Sequence, residues 1–131
     1  MDINVYTILV TGSRNWRDAK IIRAAILDVI KDKPLNKIRL VHGDQRGADK
    51  IAAFVARQLR IAAIKPYGAQ WDIYGNSAGP IRNQQILDEE HHIDVVLAFP
   101  LPQSIGTCDM IQRAKKHGIK DIRIYGKGCD I

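Results

Sequence analysis

No part of this chain is apolar for long enough to cross a bilayer. About 18 uninterrupted residues would be needed, and the most hydrophobic stretch, Ile93 to Phe99, stops far short of that. A membrane-spanning helix is thereby excluded. The opening residues Met1-Asp2-Ile3-Asn4 have neither the basic start nor the apolar centre of a secretion signal, so a cytoplasmic location is expected. Cysteine is scarce. Cys108 and Cys129 show neither a paired ligand spacing nor a disulfide framework, and the expectation is reduced thiols in a reducing compartment, with Cys108 a small packing residue. The histidines, His42, His91, His92 and His117, fall in no metal-ligand pattern, so neither a metal nor another cofactor is expected. Aromatic residues make up 6% and are not interleaved with basic ones, which argues against a stacking platform for single-stranded nucleic acid.

What is present is ordinary globular material. With 131 residues, 46% hydrophobic and 26% charged, the chain suits one domain spanning 1–131 and leaves little for a disordered tail. A formal charge of +6 is compatible with any polyanion, so nucleic acid, nucleotide and acidic protein partners all stay open on charge alone. The densest basic cluster, Arg113-Ala114-Lys115-Lys116-His117, sits where a helix should end and complements the helix dipole there.

Apolar periodicity then sets the architecture. Val5 to Val10 is a β-branched run ending at Thr11-Gly12, the pattern of a strand buried on both faces. Asp18 can cap a following helix in which Ile21, Ile22, Ala25, Ile26, Val29 and Ile30 recur at helical spacing before Pro34. Ile38 to His42, Ile61 to Ile64, Ile93 to Phe99 and Ile119 to Tyr125 supply four further strands; a helix carrying Ile51, Ala52, Val55, Ala56 and Leu59 follows the break at Gly43, and two others begin at Gly79-Pro80 and Gly106. Tyr67 to Gly79 has no periodicity and reads as a long loop. Strands alternating with helices predict an α/β, three-layer, Rossmann-like domain with a mostly parallel five-stranded sheet and helices on both faces. Ligands of such sheets bind beyond the carboxyl ends of the strands.

The distinctive motifs converge at those ends: Gly12-Ser13-Arg14-Asn15-Trp16, then His42-Gly43-Asp44 with Gly47-Ala48-Asp49, then Pro100 to Thr107. A glycine lets backbone approach a phosphate, the next helix offers unpaired N–H groups, and serine, threonine and arginine add donors. Each motif alone is equally a tight turn, and none matches the dinucleotide or Walker patterns.

Taken together, these motifs, with Trp71, Tyr74-Gly75, Ala78-Gly79, Arg82-Asn83, Phe99-Pro100 and Gly106-Thr107, resemble the YspA/cpYpsA-related family of the SLOG superfamily over about Val5 to Ile124. That resemblance implies a Rossmann-like fold shared with the LOG phosphoribohydrolases, which remove the base from nucleoside 5′-monophosphates, and with the DNA-processing protein DprA. It also implies a phosphate site at Gly106-Thr107 and a parallel between Arg82 and the arginine of the LOG helix motif. The LOG loop reads P-G-G-x-G-T-x-x-E, whereas here Pro102 to Met110 lacks both inner glycines and places Met110 at the catalytic glutamate. Asp109 precedes that position and points about 100° away on an ideal helix.

The expected partner is a nucleotide or nucleotide-derived molecule carrying phosphate, bound by Gly12, Ser13, Arg14, Trp16, Gly43, Asp44, Asp49, Gly79, Arg82, Asn83, Gly106 and Thr107. If the chain is instead an enzyme, Asp49 or Asp44 would supply the acid that an N-glycosidase needs; a turn former and a first-turn helix acid are their structural alternatives. Trp16 and Trp71 fit base stacking or loop packing equally. A DprA-like nucleic-acid module is the third reading. By analogy with SLOG relatives, a homo-oligomer is expected.

Overall fold

A computed structural model describes residues 5–129; the reading of the first four residues as lacking a signal lies outside them. The strands are β1 (Tyr6–Gly12), β2 (Ile38–His42), β3 (Ala63–Pro66), β4 (Val95–Phe99) and β5 (Ile122–Ile124). Between them run the helices α1 (Ala19–Ile30), α2 (Ala48–Gln58), α3 (Trp71–Tyr74), α4 (Ala78–Glu89) and α5 (Ile105–Lys116). All strand pairs are parallel, in the order β3-β2-β1-β4-β5. The chain therefore builds outward from β1 on one side, then crosses back to start β4 on the other. This reversal opens a crevice beyond the carboxyl ends of β1 and β4, where Gly12 pairs with Phe99.

The apolar run of β1 divides between two cores because successive side chains leave a strand on opposite faces. Ile8 and Val10 join Val95, Leu97 and Phe99 against Ile22, Ile26 and Val29 of α1 and Ala52, Val55 and Ala56 of α2. Leu9, Val41 and Val96 meet Ile86 and Leu87 of α4 and Met110 and Ala114 of α5. Each fully buried Ile, Leu or Phe contributes roughly 1.5–3 kcal/mol of transfer free energy. Asp18 caps α1 as expected, accepting from the Lys20 N–H (3.0 Å) and the Ile21 N–H (3.3 Å). Among the described residues no helix is long and apolar enough to cross a membrane.

Four expectations are corrected. β3 begins at Ala63 rather than Ile61, because α2 ends in a Schellman turn. Arg60 adopts a left-handed φ of 63°, its N–H reaches Arg57 O (3.1 Å), and the Ile61 N–H reaches Ala56 O (3.0 Å). Those bonds consume Ile61 before a strand can start. β5 is confined to Ile122–Ile124, since Gly118 (φ 94°) and the Ile119 N–H to Ala114 O bond (3.1 Å) close α5 in the same way. The long loop after Tyr67 holds α3 and a 3₁₀ turn, Gly75–Ser77, that runs directly into α4 at Ala78, one residue before Gly79.

The fourth correction concerns cysteine. Cys108 and Cys129 form a disulfide, which ties the carboxyl-terminal segment to the first turn of α5. A 21-residue separation hid that proximity. The two thiols thus give no support to a reducing compartment, and Cys108 is a cross-link rather than a packing thiol.

Candidate functional site

The crevice beyond β1 and β4 is a groove of about 450 Å³. Gly12, Ser13, Arg14 and Asn15 of the β1–α1 connection form one wall, and the β4–α5 connection from Pro102 to Thr107 forms another. Gln45 and Arg82 close its base, while Trp71, Asn76, Gly79 and Pro80 bring the inserted segment over its side. Below it, at Gly12, Gly43, Gln45, Arg82, Asn83, Gly106 and Thr107, lies a cavity of about 20 Å³, room for one water molecule. Met110 also lines that cavity.

Glycines divide the site's work unequally. A Cβ on Gly12 would collide with Ala48 Cβ and lie 2.9 Å from Phe99 O, so this glycine exists to let α2 pack against the end of β1. A Cβ on Gly43 would stand 2.7 Å from the Arg82 guanidinium carbon and 2.9 Å from Asp49 Oδ2. Gly47, at φ 83°, presses on the backbone of Ser13 and Arg14. Gly106 differs, because a Cβ there meets nothing within 4 Å. Its missing side chain leaves open space in the groove at the start of α5. There the N–H groups of Gly106 and Thr107 belong to the helix's first turn, which has no intrahelical acceptor. Nor does the N-cap residue, Ser104, bond them through its side chain; its Oγ accepts from the Leu101 N–H instead (2.9 Å). This is the local electrostatics that anions find at helix starts.

A buried polar network underlies the groove. Asp49 is 4% exposed; its Oδ2 accepts from the Gly43 N–H (3.0 Å) and the Gln45 N–H (3.4 Å), while its Oδ1 has no partner. Burial pushes the Asp49 carboxyl up to about 7, against the opposing pull of Arg82 and the two backbone donors. Arg82 donates through Nη1 to Gly43 O and Tyr67 O and through Nε to Asn83 Oδ1 (3.0 Å). Burial lowers its pKa, with Asp49 and then Asp44 opposing. Asn83 Nδ2 in turn donates to Asp109 Oδ2 (3.0 Å) and Gly106 O (3.3 Å), which fixes the first turn of α5 against α4. Asp109 also receives Arg113 Nε at 2.8 Å. His42 is pushed down to about 4 by burial, so its neutral Nδ1 accepts the Asp44 N–H at 2.9 Å.

The structure brings Gly12, Ser13, Arg14, Gly79, Arg82, Gly106 and Thr107 together on the groove, with Gly43, Asp49 and Asn83 in the layer beneath. Two expected residues fall elsewhere. Trp16 is a core residue, 6% exposed, edge-on to Phe99 at 5.5 Å with its Nε1 donating to Asp18 O, which removes it from base stacking. Asp44 lines neither cavity; it is exposed, adopts φ 55° and pairs with Lys50 at 2.6 Å, the role of a turn former. Sequence reasoning overlooked Gln45, Asn76, Gln103 and Ser104, whose polar side chains had no signal beyond their loops. Asp109, set aside for its angle, lines the groove after all. Trp71, 47% exposed, is the aromatic residue on the groove wall.

Comparison with known proteins follows this geometry. Residues 6–74 match the model of the YspA, cpYpsA-related SLOG family. The Gene 61 protein of Mycobacterium phage D29 is 36% identical over 124 residues, covering 92% of this chain and 97% of that protein. Among solved structures, DNA processing protein A (DprA) from Streptococcus pneumoniae superposes with a TM-score of 0.62 at 17% identity, over 97% of this chain. The chain spans about half of that protein, 52% of its length, and the likeness is one of fold.

Proposed function

Because the chain belongs to the YspA, cpYpsA-related SLOG family, we propose that it binds a nucleotide or nucleotide-derived small molecule, with a phosphate at the start of α5. The observation that carries this reading is the open side of Gly106. Gly12, Gly43 and Gly47 are demanded by packing, but among the described residues nothing occupies the space that Gly106 leaves beside two free helix-terminal N–H groups. Arg14 on the facing wall supplies a bidentate cation, and Trp71 offers a face for a planar ring.

Isothermal titration with the four nucleoside 5′-monophosphates and with ADP-ribose tests the proposal. Binding should weaken at least tenfold in Gly106→Leu, whose side chain would project into the groove while the melting temperature stays within a few degrees. Heat exchange with none of these ligands, or equal affinity in the variant, would refute it.

One observation favours turnover as a second reading. Asp49, poised near neutrality with an unpaired oxygen beside a water-sized cavity under the groove, has the properties of a general base. It would take a proton from a water that adds to the anomeric carbon as the N-glycosidic bond breaks; the base departs with the bond's electron pair and then receives that proton, by way of solvent, which returns Asp49 to its ionised form. Free base released from nucleoside monophosphates, lost in Asp49→Asn and retained in Asp44→Asn, would establish it. Release unchanged in Asp49→Asn would remove Asp49 from that role.

A further inference from the structure

A second hollow adjoins the groove. Its volume is about 470 Å³, and it shares Arg14 and Asn15 with the groove wall before passing to Arg17, Arg46 and Lys50. The indole of Trp16 and Ile51 supply the apolar part of its lining. The fold brings these cations together from separate connections. Gly47, at φ 83°, sits directly on the backbone of Ser13 and Arg14, so the turn that carries Arg46 is held against the loop that carries Arg14 and Arg17. Bonds from the Ala48 N–H to Ser13 O (3.1 Å) and from the Trp16 N–H to Ser13 O (3.2 Å) lock the junction.

The charge is uncompensated. Three arginines elsewhere are neutralised, Arg39 by Glu90, Arg113 by Asp109 and Arg123 by Asp121 and Asp28; among the described residues Arg23, Arg57 and Arg60 have no carboxylate partner either, but they line neither the groove nor this hollow. Among the described residues the exposed side chains of Arg14, Arg17 and Arg46 have no carboxylate partner and no acid lines the hollow; Asp44 is taken by Lys50, and Asp18, next to Arg17, caps α1. Like charges gathered without counter-charges repel one another, and an anion with several charges relieves that repulsion. A compact, multiply charged phosphate chain fits the guanidinium forks better than a single phosphate, which the α5 terminus already serves.

We infer that the hollow is a second anion subsite, and that the ligand is a nucleotide with a chain of two or more phosphates, running from the start of α5 past Arg14 to Arg17 and Arg46. The inference rests on the groove being the nucleotide site. Titrating the intact protein with the mono-, di- and triphosphates of the four nucleosides in metal-free buffer at fixed ionic strength tests both separately. Affinity should rise about tenfold or more from mono- to di- or triphosphate. In Arg17→Ala/Arg46→Ala that gain should vanish while monophosphate affinity stays within twofold. Lys115→Ala/Lys120→Ala, at the opposite edge of the sheet, removes the same two charges and should keep the gain. Equal affinity across the phosphate series, or a gain that persists in the arginine double variant or falls as much in the lysine one, overturns the second subsite and leaves the groove standing. Binding of none of the twelve nucleotides overturns both.

Discussion

Replacing Asp49 by Asn should make this protein more stable at pH 8 and leave it nearly unchanged at pH 4. The carboxyl ordinarily titrates near 3.8, and burial raises it to about 7 in the folded chain. Below about pH 4 both folded and unfolded chains hold the proton, so no difference arises. Between 4 and 7 the unfolded chain releases it while the folded chain keeps it, and stability falls as pH rises. Above 7 the folded chain carries the charge and the full cost is present. A displacement of about three pKa units corresponds to roughly 4 kcal/mol, at about 1.4 kcal/mol per unit. For a domain of this size 1 kcal/mol moves the melting temperature by about 4 °C. The asparagine keeps an oxygen for the Gly43 and Gln45 N–H groups and never ionises. The melting temperature of Asp49→Asn minus that of the native protein should therefore grow by on the order of 10 °C from pH 4 to pH 8. Using the difference removes, to first order, the separate acid-side loss from His42. That imidazole is held neutral down to about 4, so it withdraws stability as pH falls below its usual 6.5. Differential scanning calorimetry at several pH values provides the comparison. A pH-independent offset, or a variant that loses ground as pH rises, would refute the assignment of Asp49 as a buried, largely desolvated acid.

Three further outcomes are expected. Gly12→Ala should cost about 1–3 kcal/mol by overpacking against Ala48 and Phe99, while Gly106→Ala should raise stability by about 0.5–1 kcal/mol as a helical glycine replaced in open space; urea unfolding of the two variants separates the packing glycine from the one that faces the open groove. Reduction of Cys108–Cys129, or its replacement by serines, should lower stability by about 3 kcal/mol, the chain-entropy value for a loop of this length, seen as a lower melting temperature in dithiothreitol. Arg60→Gly should stabilise the protein by up to about 1 kcal/mol, since glycine takes the left-handed φ of 63° without a Cβ clash; a lower urea midpoint would show that Arg60 makes contacts worth more than its strain.

The sequence by itself determined the layers. Strand periodicity in Ile8 to Val10 and Val95 to Phe99, helical spacing from Ile22 to Val29, and Asp18 and Gly118 at helix ends are local signals, because they depend on neighbours a few residues away. The carboxyl-edge location of the groove followed from topology, and the loops that line it were visible as glycine motifs. Tertiary structure decided what each motif residue does. Gly12 and Gly106 look alike in sequence, yet one faces Ala48 at packing distance and the other faces open space. Asp44 and Asp49, five positions apart, part into an exposed ion pair and a buried acid because Asp44 stands in an exposed turn while the first turn of α2 carries Asp49 inward onto the Gly43 N–H. Trp16 went to the core through Phe99, a residue 83 positions away in the chain. The disulfide and the unpaired cations of Arg14, Arg17 and Arg46 depend in the same way on which loops the parallel crossovers set side by side. Desolvation and charge proximity are properties of that three-dimensional neighbourhood, and they alone separate residues of one type into packed, buried-acid and groove-facing positions.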